Sequence, residues 1–367
     1  MNRFAEFPEM SAILGRGDTK MSIRLDAGLQ VDLRVVPERS FGAALQYFTG
    51  SKDHNVVLRG LAKQRGLKIN EYGVFRVDGE TETYVGGATE QEVYSVLDLP
   101  CFPPEMREAR QEFEWATKGE LPTLVEVHDI RGDLHMHTTA TDGQATLEEM
   151  VAAAQQRGLQ YIAITDHSQR VSMARGLDPQ RLLAQWQQID NINRQLGKGF
   201  LVLKGIECDI LEKGGMDLPD DVLAQADWVM ASIHYGQKQP RQQITDRLLG
   251  AIENPYVSAI SHPTGRLINQ REPYELDFDA LLAAAKRHHK LLELNANPAR
   301  LDLNDVFCAA AKSHGIPIVI STDAHNVEGL DCLRYGILQA RRAGLTPHDI
   351  ANTRPWPQLK QLLKTGN

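Results

Sequence analysis

The sequence lacks the features that mark secreted proteins, membrane-spanning proteins and proteins that bind nucleic acid through a broad basic surface. It has four cysteines in 367 residues and no CxxC pair, so we expect reduced thiols in a cytoplasmic protein rather than a disulfide framework. No apolar run approaches the length that spans a bilayer, and the first residues lack the apolar core of a signal peptide. The net charge of −8 argues against binding of nucleic acid through a broad basic surface.

The first hundred residues contain two predicted β-hairpins. Apolar and polar residues alternate in Lys20–Leu25 and Val31–Val36, and again in Asn70–Val77 and Thr81–Val85, with turn residues between the members of each pair. A charged stretch punctuated by prolines follows at 101–124. We predict that this stretch is a linker, partly helical.

From residue 125 the pattern changes to alternating strands and helices, which predicts a parallel sheet. Seven strands over roughly 200 residues favour a barrel of the TIM kind over a short open sheet. The strand candidates end at Leu134, Thr165, Ile206, Ile233, Ser261, Leu294 and Ser321. The helix candidates are Leu147–Arg157, Pro179–Leu196, Gln242–Ile252, Asp279–His288 and Leu303–Ser313.

Six of these strands deliver a histidine or a carboxylate at their carboxyl end, which is where barrel enzymes place catalytic groups. The residues are His135, His137, Asp142, His167, Glu207, His234, His262, Asp323 and His325. Imidazole and carboxylate ligands together suit Zn²⁺, Mn²⁺ or Fe²⁺. Nine ligands exceed the needs of one ion, so we predict a cluster of two or three. Such clusters cleave phosphate esters.

Each of these residues has an ordinary explanation when taken alone. A His-x-His pair is common without a metal, and Asp142 lies in a Thr-Asp-Gly sequence typical of turns. Their joint occurrence at strand ends favours metal binding. Arg266, Arg271 and Arg300 follow strands and are predicted to hold substrate phosphate; a solvated surface arginine is the alternative for each.

The motifs resemble those of the PHP (polymerase and histidinol phosphatase) domain, a distorted (β/α)7 barrel with a trinuclear metal site. The matching pieces are Asp133-Leu134-His135-Met136-His137, Thr165-Asp166-His167, Gly205-Ile206-Glu207, Ser232-Ile233-His234, Ser261-His262-Pro263 and Thr322-Asp323-Ala324-His325. The resemblance implies three divalent ions, Mn²⁺ or Zn²⁺. Their ligand sets would be His135, His137, Glu207 and Asp323; Glu207, His234 and His262; and Asp142, His167 and His325. Many PHP domains have a histidine where this chain has Asp142.

The N-terminal strings at 28–36, 47–55 and 70–75 resemble the last palm strand, the nucleotide pocket and the thumb of bacterial family X DNA polymerases. The resemblance implies an α/β chain with a small α+β region before the barrel. Its parts would be a partial palm at 1–36, a thumb-like domain at 37–100, the linker at 101–124 and the PHP domain at 125–367. Asp32 is the one matching palm carboxylate, so we expect no DNA synthesis by this chain.

The function implied is metal-dependent hydrolysis of DNA 3′ ends, a 3′–5′ exonuclease activity of DNA-repair end processing, with Glu207, Asp323 and His234 as catalytic residues. The alternatives are a small-molecule phosphatase of the histidinol-phosphatase kind and a non-catalytic DNA-positioning module. No membrane association is expected, and the oligomeric state is not readable from the sequence.

Overall fold

The computed structural model describes residues Met1–Leu363 and divides into two compact units, Met1–Leu121 and Pro122–Asn367. In the first unit, three antiparallel strands are followed by helices and a second three-stranded antiparallel sheet. The strands are β1 Met10–Arg16, β2 Lys20–Leu25, β3 Gln30–Arg34, β4 Leu67–Asn70, β5 Gly73–Asp78 and β6 Thr81–Gly86. The helices are α1 Phe41–Thr49, α2 Lys52–Gln64, α3 Glu90–Ser95 and α4 Glu112–Lys118.

Both predicted hairpins are present, as the pairs β2–β3 and β5–β6. The segment that follows them packs on this unit: Phe102 is buried in its apolar core, and Phe113 packs against that core. Burial of aromatic side chains is the physical reason why residues 101–121 belong to the first compact unit. The predicted domain boundaries at 36, 100 and 124 stay a prediction.

The second unit is a nearly closed barrel of seven parallel strands in sequential order, as predicted. The strands are β7 Gly132–Asp133, β8 Tyr161–Ile164, β9 Leu201–Asp209, β10 Trp228–Ser232, β11 Ala259–Ile260, β12 Leu291–Asn295 and β13 Ile318–Ser321. The helices are α5 Leu147–Gln156, α6 Pro179–Leu196, α7 Asp220–Leu223, α8 Arg241–Glu253, α9 Phe278–Arg287, α10 Asp305–Ser313, α11 Leu333–Arg342 and α12 Trp356–Leu362. The five predicted helices correspond to α5, α6, α8, α9 and α10.

The strands are apolar on both faces because each face packs against a separate core. In β8, Tyr161 and Ala163 belong to one apolar cluster. Ile162 and Ile164 belong to a second, larger cluster, which also contains residues of helices α5–α11. This alternation follows from the two-residue period of a strand. Trp356 of α12 joins the first cluster.

The first and last strands are linked at the carboxyl end of the barrel and again along the strands themselves. At the carboxyl end, the His137 N–H donates to the Ala324 carbonyl at 2.8 Å, and the Asp323 N–H donates to the His135 carbonyl at 2.9 Å. Near the strand bodies, the Asn352 amide donates to the carbonyls of Gly132 and Ile320, each at 2.7 Å. These bonds bring the segments after β7 and β13 side by side.

No helix in the described part of the chain is long and apolar enough to cross a membrane. The cytoplasmic location stays a prediction.

Candidate metal centre

The nine residues predicted as ligands converge at the carboxyl ends of the barrel strands. Glu207 is the centre of the group and is almost fully buried. Its carboxylate oxygens lie 2.8 Å from His167 Nδ1 and 2.9 Å from His262 Nε2. Three further imidazoles approach the same carboxylate: His135 at 3.5 Å, His234 at 3.6 Å and His137 at 3.7 Å. One carboxylate therefore faces five imidazoles from four other strand ends.

Asp323 is the second central carboxylate. Its Oδ1 lies 3.1 Å from His137 Nε2 and 3.6 Å from His135 Nε2. Asp323 and His262 both have left-handed backbone conformations, with φ angles of 54° and 26°. Such conformations are costly for residues other than glycine and are often found at functional sites.

Asp142 reaches the group from the loop after β7. Its carboxylate lies 3.3 Å from His167 Nε2 and 3.5 Å from His325 Nε2. The loop passes so close to the strand that a Cβ on Gly143 would lie 2.6 Å from the His137 carbonyl oxygen. Glycine at that position therefore allows the Thr-Asp-Gly turn to bring Asp142 inward.

Buried Asp166 fixes the same loop. It accepts hydrogen bonds from the Thr138 N–H at 2.8 Å, from the Thr138 hydroxyl at 2.6 Å and from the Thr141 hydroxyl. The loop is thus anchored to a carboxylate just after β8, and the position of Asp142 depends on that anchor.

The ligand atoms fall into three overlapping groups, in each of which they lie within 4.8 Å of one another. The groups are His135, His137 and Asp323; His167, Glu207 and His234; and His137, Asp142, His167 and His325. They overlap the three predicted sets, but Glu207 is absent from the first, His167 stands in place of His262 in the second, and His137 is added to the third. The assignment of individual ligands stays a prediction.

The donor set suits divalent cations. His135 Nε2, His167 Nδ1 and Glu207 Oε2 are buried and face one another, with Glu207 Oε2 at 2.8 Å from His167 Nδ1 and 3.5 Å from His135 Nε2, but none of the three atoms has hydrogen-bond geometry with any partner among residues 1–363. Buried polar atoms without partners are costly, and a cation that accepts their lone pairs removes that cost. Imidazole and carboxylate are ligands of Zn²⁺ and Mn²⁺.

Charge interactions inside the group are strong. Burial opposes ionisation of Glu207, but the imidazoles of His234 and His135 hold its pKa well below the usual range. Burial also opposes protonation of His167, yet Glu207 and Asp142 raise its pKa to about 10. By contrast, burial and the nearby Arg300 lower the pKa of His262 to about 3.

Two carboxylates outside the predicted ligand set orient the histidines. Glu293, in β12, accepts from His135 Nδ1 at 2.7 Å and from the His262 N–H at 2.6 Å. Asp209, at the end of β9, accepts from the His234 N–H and from its Nδ1, both at 3.0 Å. An acidic residue within a buried apolar strand was the signal that could have identified Glu293. Such partners fix the tautomer and aim the opposite ring nitrogen.

The three predicted phosphate-binding arginines have different surroundings. Arg266 donates to the carbonyls of Arg300 and Leu301, and Arg271 donates to the Gly265 carbonyl. Both therefore hold backbone in place. Arg300 lines a cavity of about 430 Å³ that seven of the nine predicted ligands also line, and its Nε lies 3.3 Å from Asp323 Oδ2. Their roles toward a substrate stay a prediction.

Asp32 is remote in sequence from this group and lies in β3 of the first unit. Hydrogen bonds from Ser22 and Gln30 lower its pKa. Asp32 is therefore an exposed, ionised acid of the β2–β3 hairpin.

Comparison with known families gives two matches within the chain. The family described as "DNA polymerase beta thumb" matches residues 44–108, and the PHP domain matches residues 133–297. Among individual proteins, the chain is 44% identical over 365 residues to the DNA polymerase/3′-5′ exonuclease PolX of Bacillus subtilis. That match covers 99% of this chain and 63% of the relative's length.

The barrel is also similar to shorter proteins. A probable phosphatase of Thermoanaerobacter sp. is 30% identical over 234 residues, which is 60% of this chain and 89% of the relative. Among solved structures, the putative histidinol phosphatase of Listeria monocytogenes is 17% identical, with a TM-score of 0.45 over 54% of this chain and 97% of that one. By the sequence matches, the chain combines a polymerase-type thumb with a PHP domain and belongs to the bacterial family X DNA polymerases that carry a PHP domain.

Proposed function

We propose that this chain hydrolyses phosphodiester bonds at DNA 3′ ends, in the 3′–5′ direction, at the metal centre of its barrel. The observation that carries the proposal is the convergence of the nine predicted ligand side chains around the shared carboxylate of Glu207, where seven of them line one cavity. The Bacillus subtilis relative, which this chain spans for 63% of its length, is named for a 3′-5′ exonuclease activity. The thumb match favours DNA over a small-molecule substrate.

The cofactor we propose is a cluster of three divalent ions, Mn²⁺ or Zn²⁺. Its ligands would be His135, His137, Glu207 and Asp323 for one ion; Glu207, His234 and His262 for the second; and Asp142, His167 and His325 for the third. When bound, such ions supply a nucleophile at neutral pH and neutralise charge that develops on a transferred phosphoryl group.

The chain's own residues have separate tasks in this proposal. Glu207 and Asp323 hold negative charge at the centre, and His234 presents Nε2 to the same point because Asp209 holds its Nδ1 at 3.0 Å. Arg300 is the proposed phosphate contact: its side chain is 16% exposed, it lines the cavity, and its buried Nη1 has no hydrogen-bond partner within the described residues. A guanidinium can donate to two phosphate oxygens at once.

A second candidate is a small-molecule phosphatase, which the 30% identity to probable phosphatases favours. A third is a DNA-positioning module whose metal centre does not turn over. The first unit argues for DNA in both the first and the third case, because the match to a polymerase thumb falls within it.

One panel assay separates the three. The purified chain with Mn²⁺ is given end-labelled DNA with a 3′ hydroxyl, a 3′ phosphate or a 3′ abasic residue, and, in parallel, histidinol phosphate. We expect shortening of the DNA and no turnover of histidinol phosphate. Turnover of histidinol phosphate alone would favour the phosphatase. DNA binding without any turnover would favour the positioning module.

A further inference from the structure

The cavity of the metal centre has an apolar wall that provides no ligand for a metal ion. Besides the proposed ligands and Arg300, it is lined by Val171, Met173, Ala174 and Tyr235. Metal ions and phosphate oxygens gain nothing from apolar or aromatic surface. A wall of this kind therefore points to an organic part of the substrate that lies beside the phosphate.

Met173 is the most unusual residue of this wall. Its side chain is 90% exposed, more than that of any other large exposed apolar residue in the described chain. It lies in the 3-10 turn Ser172–Ala174. The residue after this turn, Arg175, has a φ of 58° and donates to the Thr141 carbonyl. The turn is thus tied to the loop that carries Asp142, while its methionine contributes almost no buried area to folding.

Tyr235 follows His234 directly and is held from outside the cavity. The Arg170 guanidinium carbon lies 4.1 Å from the centre of its ring. Arg170 is paired with Glu212, and its backbone N–H donates to Asp217 at 2.7 Å. The Tyr235 carbonyl accepts from Arg247 at 2.9 Å. An aromatic ring covered by a fixed guanidinium loses little conformational entropy when a second planar group stacks on it.

We propose that Met173 and Tyr235 form a platform that stacks the base of the 3′-terminal nucleotide, so that the enzyme prefers a 3′ end that carries a base next to the bond it cleaves. This inference rests on the proposed function, since a DNA strand is its ligand. All four bases have π-faces, so the platform tolerates any sequence. A flexible thioether beside a rigid ring suits partners of different size.

The test compares two otherwise identical single-stranded oligonucleotides, one with a normal 3′-terminal nucleotide and one whose terminal deoxyribose lacks a base. The ratio of their kcat/KM values is measured for wild-type protein with its metals. The variants are Tyr235→Ala, Tyr235→Phe and Met173→Ala. Tyr256→Ala is the matched control, because Tyr256 is a partly exposed tyrosine that precedes β11, at the opposite edge of the barrel. A second readout is the Kd ratio of the same pair, with a terminal phosphorothioate linkage to slow cleavage, by fluorescence anisotropy.

Base stacking on an aromatic side chain predicts that wild-type protein prefers the base-bearing end by about 5- to 150-fold. The preference should disappear in Tyr235→Ala, persist in Tyr235→Phe and Tyr256→Ala, and fall partly in Met173→Ala. Met173→Ala also covers the case in which Tyr235→Ala fails to fold, because so exposed a side chain can be shortened without loss of packing. Equal use of both ends by wild-type protein, or a preference unchanged in both alanine variants of the platform, would overturn the inference.

Failure of the proposed function gives a different result. If wild-type protein cleaves neither oligonucleotide, the hydrolysis proposal is lost, and the Kd ratio alone decides the platform. A ratio that favours the base-bearing end and falls in Tyr235→Ala supports the platform; equal Kd values reject it.

Discussion

Replacing Glu293 by glutamine tests whether the buried carboxylates around the metal centre aim its histidines. The two oxygens of Glu293 serve three donors: His135 Nδ1 at 2.7 Å, the His262 N–H at 2.6 Å and the Asn295 amide at 3.3 Å. Glutamine has the same shape but only one accepting oxygen. Either His135 or the His262 backbone then faces an NH₂ group instead of an acceptor.

The expected cost follows from this geometry. A buried donor that loses its acceptor costs about 1–3 kcal/mol, and loss of the partner of a metal-binding histidine weakens metal affinity or activity about 10- to 100-fold. The two figures agree, because each tenfold change corresponds to about 1.4 kcal/mol. We therefore expect Glu293→Gln to bind Mn²⁺ or Zn²⁺ about 10- to 100-fold more weakly and to unfold at lower urea concentration.

The assay is competition for metal between the protein and a chelating dye, combined with urea unfolding of the metal-free protein. Glu253→Gln is the control, since Glu253 is an exposed acid at the end of α8, and it should match wild type in both measurements. Wild-type metal affinity and turnover in Glu293→Gln would refute the argument that this carboxylate orients His135.

Three further predictions concern the centre and the first unit. Protein purified without chelator should contain more than one transition-metal ion per chain by elemental analysis. Protein that stays metal-free after addition of Mn²⁺ or Zn²⁺ would contradict the proposed metal cluster. Glu207→Ala and Asp323→Ala should each abolish hydrolysis while the circular dichroism spectrum persists, because each removes a central charge; wild-type turnover in either at saturating metal contradicts the assignment. Asp142→His should be milder, since imidazole is also a metal ligand. In a primer–template assay with nucleotides and Mn²⁺, the primer should shorten without extension. Nucleotidyl transfer uses two metal ions held by a set of carboxylates, and Asp32 is the one carboxylate that matches this set. Template-directed extension would show that the palm interpretation is wrong.

The chain's local patterns determined the barrel and the types of residue at its carboxyl edge. The helix predicted at Pro179–Leu196 is present with those bounds, begun by Asp178 and by proline in the first turn, because capping chemistry acts within a few residues. Most strand ends were also readable, because buried parallel strands are short apolar runs and the ligand-type residue after each run lies near its end. The exception is β9, which was predicted to end at Ile206 but continues through Glu207 to Asp209.

Strand β1, Met10–Arg16, was not predicted because much of it is exposed and its pairing with β2 is interrupted by register shifts. An exposed, irregular edge strand lacks the strict alternation by which a strand is recognised in a sequence. Its position depends on pairing with β2, which a local pattern does not contain.

Only the tertiary structure decided which partners the site residues have. Glu293 meets His135 across 158 positions of sequence, and Asn352 joins Gly132 across 220. Arg266 and Arg300 looked equivalent in sequence, yet one donates to backbone carbonyls and the other lines the cavity. Hydrogen bonds and burial depend on distances between segments brought together by folding, whereas residue type and spacing along the chain report only on the segment itself.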